Sequence, residues 1–167
     1  PHAIVLVGAE PDRPETEYGW IEPGPALQDA RMLPGLGAAR SVKRFAEKPS
    51  VDVARALMGR RSLWNTMIVV GRLSAFDELL AAAVPELRHE FAALADAPSP
   101  DAEAAIVGAI YDAIGSSDFS RDVLASQPER LAVVNLRDSG WTDLGQPARV
   151  LDVLARYNAS DTHQATG

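Results

Sequence analysis

Leu131-Ala132-Val133-Val134-Asn135-Leu136, followed after a short interval by Gly140-Trp141-Thr142-Asp143-Leu144-Gly145, carries more structural information than any other part of the chain. An apolar run of this length, bounded by turn residues, reads as a buried strand. The hexapeptide after it reads as a glycine-bracketed turn at the edge of a sheet. Its glycines let the backbone take φ > 0 or approach a ligand closely. A lone carboxylate presented there, beside an aromatic ring, suits a hard divalent cation or sugar hydroxyls. The plain alternative is a tight turn with a solvated Asp143.

Working outward, Ala3-Ile4-Val5-Leu6-Val7-Gly8 is a second buried strand, entered from Pro1-His2 with no helix or cap before it. Such a start fits a natural domain or a piece of a larger sheet. Tyr18-Gly19-Trp20-Ile21-Glu22 is strand-like, with Pro23-Gly24-Pro25 expected to end it. Residues 26–40 read as a mobile loop, 41–46 as extended and 63–70 as a strand. Ser50 is a candidate N-cap for a helix with Val53, Ala54, Leu57 and Met58 on its apolar stripe. Ser74 and Pro85 are expected to open two more helices, ending near residues 83 and 95. After the break at Ala97-Pro98-Ser99-Pro100 comes an alanine-rich helix over 101–114, then a polar loop over 115–122 and a helical turn at 123–125. A final helix is expected over 147–157, with a polar, frayed tail over 158–167. Strands interleaved with helices indicate an α/β domain.

Composition narrows the partners. The chain has 167 residues, 47% of them hydrophobic and 23% charged, enough for one domain with a substantial core. A formal net charge of −7 argues against a nucleic-acid backbone as partner. There is no Cys, which removes disulfides and thiolate metal sites. No apolar stretch has the length of a membrane span, so the expectation is a cytoplasmic protein without membrane or nucleic-acid partners. His2, His89 and His163 have no companions at metal-ligand spacing and are assigned to the surface. Arg60-Arg61 reads as a solvated helix end, Asp138 as a turn residue, and Ser117 and Ser120 lack any triad context.

Three clusters besides the hexapeptide can carry chemistry. In Lys43-Arg44-Phe45-Ala46-Glu47-Lys48-Pro49 a strand ends in adjacent opposite charges fixed by a proline. Glu47 can accept hydroxyl hydrogen bonds, and Lys48 offers a compact charge to a phosphate; a solvated ion pair is the alternative. Leu63-Trp64-Asn65-Thr66 heads an apolar strand, where Trp ordinarily belongs to the core and Asn to a cap or turn. Gly19, between two aromatics, marks a bulge or a close approach by a ligand.

In this order, Tyr-Gly-aromatic-Ile-Glu, Val-Lys-Arg-Phe-x-Glu-Lys-Pro, Leu-Trp-Asn and Gly-Trp-x-Asp-x-Gly resemble the second half of the sugar-1-phosphate nucleotidyltransferases, most closely the mannose-1-phosphate guanylyltransferases. The likeness runs from about residue 4 to residue 154. Arg13-Pro14-Glu15-Thr16 lies in a segment similar to the family's Pro-Thr-x-Pro-x-Thr-Gly-Tyr-Gly-Tyr-Ile region. The resemblance implies the C-terminal portion of a Rossmann-like, mixed but mostly parallel sheet flanked by helices, with 1–157 as one sugar- and metal-binding part. It implies transfer of a nucleotidyl group from a nucleoside triphosphate, GTP, to a hexose 1-phosphate, mannose 1-phosphate, with Mg²⁺ as cofactor. By the same likeness Gly19 gives backbone contacts to the sugar, Glu47 holds its hydroxyls, Asn65 adds another, Lys48 neutralises the sugar phosphate, and Asp143 is one of two carboxylates on Mg²⁺. Lys48 and Asp143 are the candidate catalytic residues.

The departures are specific. Asn65-Thr66-Met67 stands where the family often has Asn-Ser-Gly, and residues 119–125 replace its Phe-Asp-Tyr-Ala-Val-Met-Glu. Gln146-Pro147 replaces a Ser-Trp. Nothing resembles the family's glycine-rich triphosphate loop, so an N-terminal half is expected as partner, and the chain alone is expected to lack the full reaction. Alternatives are a related transferase for another sugar or base, or a non-catalytic sugar-phosphate binding or regulatory module. A homodimer through 72–114 has no residue-level argument for or against it.

Overall fold

In the computed structural model the described residues are 4–28 and 34–164, with side chains excluded from 156 onward. His2, part of the expected 26–40 loop, the His163 side chain and residues 165–167 of the expected tail lie outside them. The element order is β1 (Ile4–Ala9), β2 (Trp20–Ala26), β3 (Arg40–Ala46), α1 (Val51–Gly59), β4 (Leu63–Val70), α2 (Leu73–Ala83) and α3 (Pro85–Ala92). A 3-10 turn (Ala93–Asp96), α4 (Pro100–Ala113), a π-helix (Phe119–Leu124), a 3-10 turn (Pro128–Arg130), β5 (Leu131–Leu136) and α5 (Pro147–Gln164) complete it. The chain divides into two compact units, Pro1–Arg137 and Asp138–Gly167.

In the first unit the five strands close on themselves in the order β1-β4-β2-β3-β5. The α/β class therefore holds, but the mostly parallel sheet expected from the sequence does not: among the described strands only β1 and β5 run parallel, and β1–β4, β2–β4, β2–β3 and β3–β5 are antiparallel. The reason lies in the connections. A parallel pair needs a long crossover, which the chain supplies between β1 and β5, whereas β2 and β3 are consecutive strands that pair antiparallel. Closure removes the exposed edges that an open sheet would carry.

Two further differences have local causes. β2 continues through Pro23-Gly24-Pro25 instead of ending there, because its register with β3 shifts on either side of Pro23 and a bulge tolerates the missing N–H. Helix α5 continues to Gln164, past the expected end at 157. Ser50 does sit at the N-cap of α1, but its hydroxyl makes no cap hydrogen bond; Arg72, not Ser74, precedes α2. Ser99 is a working cap, accepting from the Ala102 N–H at 3.2 Å.

The core is built from the apolar strand residues. Ile4, Leu6, Ile21, Val42, Phe45, Leu63, Leu131 and Val133 point inward and meet Ala75 and Leu79 of α2 and Val123 and Leu124 of the π-helix. Leu79 and Leu124 are fully buried, each contributing about 1.5–3 kcal/mol by transfer. At the β1–β4 contact a side chain on Gly8 would lie 2.7 Å from Leu63 Cβ, so the two strands approach as closely as they do only with glycine there. Trp64 is core, as the plain reading of that position holds, with Tyr18 and Trp20 edge-on to it at 5.1 and 6.2 Å. Among the described residues no helix is long and apolar enough to cross a membrane.

Candidate functional site

Three of the sequence-predicted residues come together at one end of the closed sheet. Gly19 immediately precedes β2, Glu47 follows β3, and Asn65 lies in β4, its N–H donating to the Gly19 carbonyl at 2.7 Å. A Cβ placed on Gly19 would stand 2.8 Å from Glu47 Oε2, 3.0 Å from Phe45 Cζ and 3.3 Å from Asn65 Cβ. The Glu47 carboxylate thus occupies the space that any side chain at position 19 would need. Here the glycine is required by close approach, and the approaching group is the Glu47 carboxylate.

Glu47 is partly buried and Lys48, beside it, is exposed. Lys48 has φ 41°, a left-handed conformation that costs a non-glycine residue on the order of 1–2 kcal/mol. Pro49 follows and directs the chain into α1. The turn points the two side chains of the Glu-Lys pair to different surroundings instead of along one strand face.

The π-helix supplies neighbours that the sequence reading does not single out. Ser120, Asp118 and Arg121 all act on the Glu47 carboxyl. Burial pushes that carboxyl above its ordinary value, and the charge of Asp118 pushes the same way; Lys48, the Ser120 hydroxyl and Arg121 oppose them. Asp118 caps the π-helix by accepting from the Arg121 N–H at 2.8 Å. Asp122 accepts from the Asp118 N–H at 2.7 Å and from Arg121 Nε at 2.9 Å, and these bonds hold its carboxyl down at about 2. A π-helical turn beside a pocket is a recurrent functional feature. Its only local sequence signal is an N-cap residue, Asp118, three positions ahead of Arg121, too common a pattern to single out.

Asn65 is buried and its carboxamide is already engaged: Oδ1 accepts from the Met67 N–H at 3.2 Å, and Nδ2 points at Met67 Sδ at 2.9 Å. This local turn holds Met67 at φ 60°, the position where the sequence lacks the expected glycine. One Nδ2 hydrogen and one Oδ1 lone pair remain for a ligand. Ser120 Oγ lies 3.4 Å from the same sulfur, which ties the π-helix to this turn.

Asp143 lies in the second unit. Its Oδ1 accepts from the Gly145 N–H at 2.7 Å and its Oδ2 from Arg149 Nη1 at 2.9 Å, and Arg149 is buried. The expected glycine-bracketed turn is not formed over 140–144: the turn lies just before it at residues 137–138 and the hexapeptide is irregular, with Gly140 at φ 57° and a bend only from Gly145. Mg²⁺ takes near-octahedral oxygen ligation. No group of three or more His, Asp or Glu able to hold a metal occurs among the described residues, and the Asp143 carboxylate is committed to a guanidinium. These residues by themselves do not make a Mg²⁺ site.

Gly19, Glu47, Asn65 and Ser120 thus form a polar cluster around a carboxylate of raised proton affinity, with Lys48 and Arg121 as cationic neighbours and Asp118 and Asp122 as acidic ones. The Glu47 carboxylate can accept hydroxyl hydrogen bonds; of the two cations, Arg121 is paired with Asp122, which leaves Lys48 as the exposed charge beside it.

The chain is 32% identical over 175 residues to a xanthan biosynthesis protein, XanB, of Xanthomonas campestris pv. campestris (strain B100), covering 96% of this chain and 32% of that protein. It is 28% identical over 151 residues to a mannose-1-phosphate guanylyltransferase of Salmonella muenchen, covering 90% of this chain and 30% of the relative. The crystal structure of a mannose-1-phosphate geranyltransferase from Thermus thermophilus superposes with a TM-score of 0.59 at 26% identity, over 81% of this chain and 36% of the other. The chain thus spans about a third of the length of the curated relatives it matches. The family model described as nucleotidyl transferase matches residues 1–160, nearly the whole sequence, and the chain belongs to that family.

Proposed function

We propose that this chain forms the sugar-phosphate side of an enzyme that joins a hexose 1-phosphate, mannose 1-phosphate, to a nucleoside triphosphate, GTP. In that reaction an oxygen of the sugar phosphate attacks the α-phosphorus of the triphosphate. A P–O bond forms there, the bond to the β-phosphate breaks, and pyrophosphate leaves. Such chemistry rests on positioning and charge stabilisation. The observation that carries the proposal is the seating of the Glu47 carboxylate in the space left by Gly19, next to Asn65 and flanked by Lys48.

The residues have distinct roles. Glu47 accepts hydrogen bonds from sugar hydroxyls, Gly19 lets the sugar approach the backbone, Asn65 adds a contact through its spare valences, and Lys48 neutralises the sugar phosphate. Asp143 contributes one carboxylate to a Mg²⁺ site whose other ligands come from outside this chain, after exchange of its bond to Arg149. When bound, Mg²⁺ offsets the phosphate charge.

The test is complementation. The chain is joined to the remaining part of one of the mannose-1-phosphate guanylyltransferases it resembles, and nucleotide-sugar formation is followed with a panel of sugar phosphates. Mg²⁺-dependent product from mannose 1-phosphate, lost in Glu47→Ala, is expected. Preference for another hexose or base would assign the chain to a related transferase, and full turnover by Asp143→Ala would remove that residue from the metal site.

A further inference from the structure

A cavity of about 730 Å³ opens in the first unit, and none of Gly19, Glu47, Lys48 or Asn65 lines it. Among the described residues its wall carries four arginines, Arg40, Arg60, Arg61 and Arg137, against one carboxylate, Glu10. That local excess of positive charge stands out in a chain whose net charge is −7. From the sequence, Arg60 and Arg61 read as a solvated helix end. Folding places them opposite the ends of β1 and β5.

The arginines are not equivalent. Arg60 reaches the buried Glu22 at 3.5 Å, and Arg40 Nε donates to the Gly24 carbonyl at 2.8 Å, so these two are anchored to the wall. Arg61 and Arg137 make no ion pair with any described residue. Arg61 also holds a left-handed backbone, φ 57°, an unfavourable conformation for a side chain of its size. Arg137 lies across Gly37, where a Cβ would come within 3.5 Å of its Nη2.

Two polar atoms of the same wall are buried without partners. Ser62 is fully buried and its Oγ makes no hydrogen bond with any described residue. Asn135 donates from Nδ2 to Glu10 Oε1 at 2.7 Å, which fixes its amide orientation and leaves Oδ1 without a donor. Buried polar atoms without partners are unfavourable and call for an explanation. A ligand that brings anionic oxygens to the cavity would match the guanidiniums of Arg61 and Arg137, which have no ion-pair partner among the described residues.

We infer that this arginine-lined cavity is a binding site for a small phosphorylated metabolite, separate from the Glu47 cluster. Guanidinium pairs match phosphate oxygens in a forked geometry that ammonium groups do not offer. The volume is in the range of pockets that hold nucleotide-sized molecules.

Calorimetric titration of the chain with inorganic pyrophosphate, up to about 1 mM, tests this, with citrate as a second arm and a thermal melt as the folding control. Expected is saturable pyrophosphate binding that weakens at least tenfold in Arg61→Gln/Arg137→Gln, is recovered in part by Arg61→Lys/Arg137→Lys, and persists in Lys48→Ala. Absence of binding to the folded protein would overturn the inference. So would loss of binding in Lys48→Ala with none in the double arginine variant, which would put the anion at the Glu47 cluster. Citrate bound as tightly as pyrophosphate would overturn the assignment to phosphate.

Discussion

Replacing Gly19 by alanine separates the Glu47 cluster from the core. The new methyl group would fall 2.8 Å from Glu47 Oε2 and 3.0 Å from Phe45 Cζ. Phe45 belongs to the packed core and does not yield, whereas the free end of Glu47 does. Overpacking in a core costs about 1–3 kcal/mol, and a flexible neighbour puts this case at the low end. Gly19 is not among the glycines with positive φ, so alanine also fits its backbone and recovers about 0.4–1 kcal/mol from the unfolded chain. The two effects nearly cancel, and the melting temperature should move by less than about 4 °C. Binding should not be spared. Displacing the carboxylate forfeits a charge-assisted hydrogen bond of about 1.5–3 kcal/mol, about 10- to 100-fold in affinity for mannose 1-phosphate. The same substitution in a Glu47→Ala background should have little further effect on affinity, which a double-mutant cycle by calorimetry reads directly. Wild-type affinity in Gly19→Ala, or additive losses in the cycle, would refute the reasoning.

Three other predictions bear on the electrostatics. Burial raises the Glu47 carboxyl above its ordinary 4.5, so the folded protein binds more protons than the unfolded one between those two values. Stability attributable to this group therefore falls as pH rises from about 4.5 through the raised value, and Glu47→Gln, which cannot ionise, should be more stable than the parent above that window in urea melts at stepped pH. Asp122 has the opposite sign. Its carboxyl is held at about 2 against an ordinary 3.8, so its contribution is present above 3.8 and lost as pH falls toward about 2; Asp122→Asn should flatten acid unfolding monitored by circular dichroism across that interval. In the second unit, Asp143→Ala leaves the buried Arg149 without this carboxylate, and since Asp143 itself is half exposed, a loss of about 1–2 kcal/mol in local stability is expected, measurable as faster amide exchange along α5.

Strands β1, β3, β4 and β5 were legible because each is an apolar or alternating run with turn residues at its ends, and burial alone dictates that pattern. How they pair was not. Pairing direction depends on how the chain returns between strands, and no periodicity records that, so the mostly parallel sheet gave way to a closed one with a single parallel pair. Pro23 and Pro25 stopped a strand on paper that a bulge carries through in the fold. At the site, Gly19, Glu47 and Asn65 were legible through motif order, and the fold brings them together. Asp118, Ser120 and Arg121 were not: they act on Glu47 from a π-helix far along the chain, and an irregular turn leaves no periodic trace. Asp143 was legible as a lone carboxylate between glycines, but its bond to Arg149 depends on how α5 folds back within its own unit.

The central claim, that the Glu47 cluster holds a sugar phosphate, is tested most directly by calorimetric titration of mannose 1-phosphate into the chain and into Glu47→Gln and Lys48→Ala. The account predicts saturable binding, weakened in both variants, with mannose alone indifferent to the loss of Lys48 because only the phosphate meets that cation. Binding of unchanged strength in both variants, with the proteins folded, would contradict it.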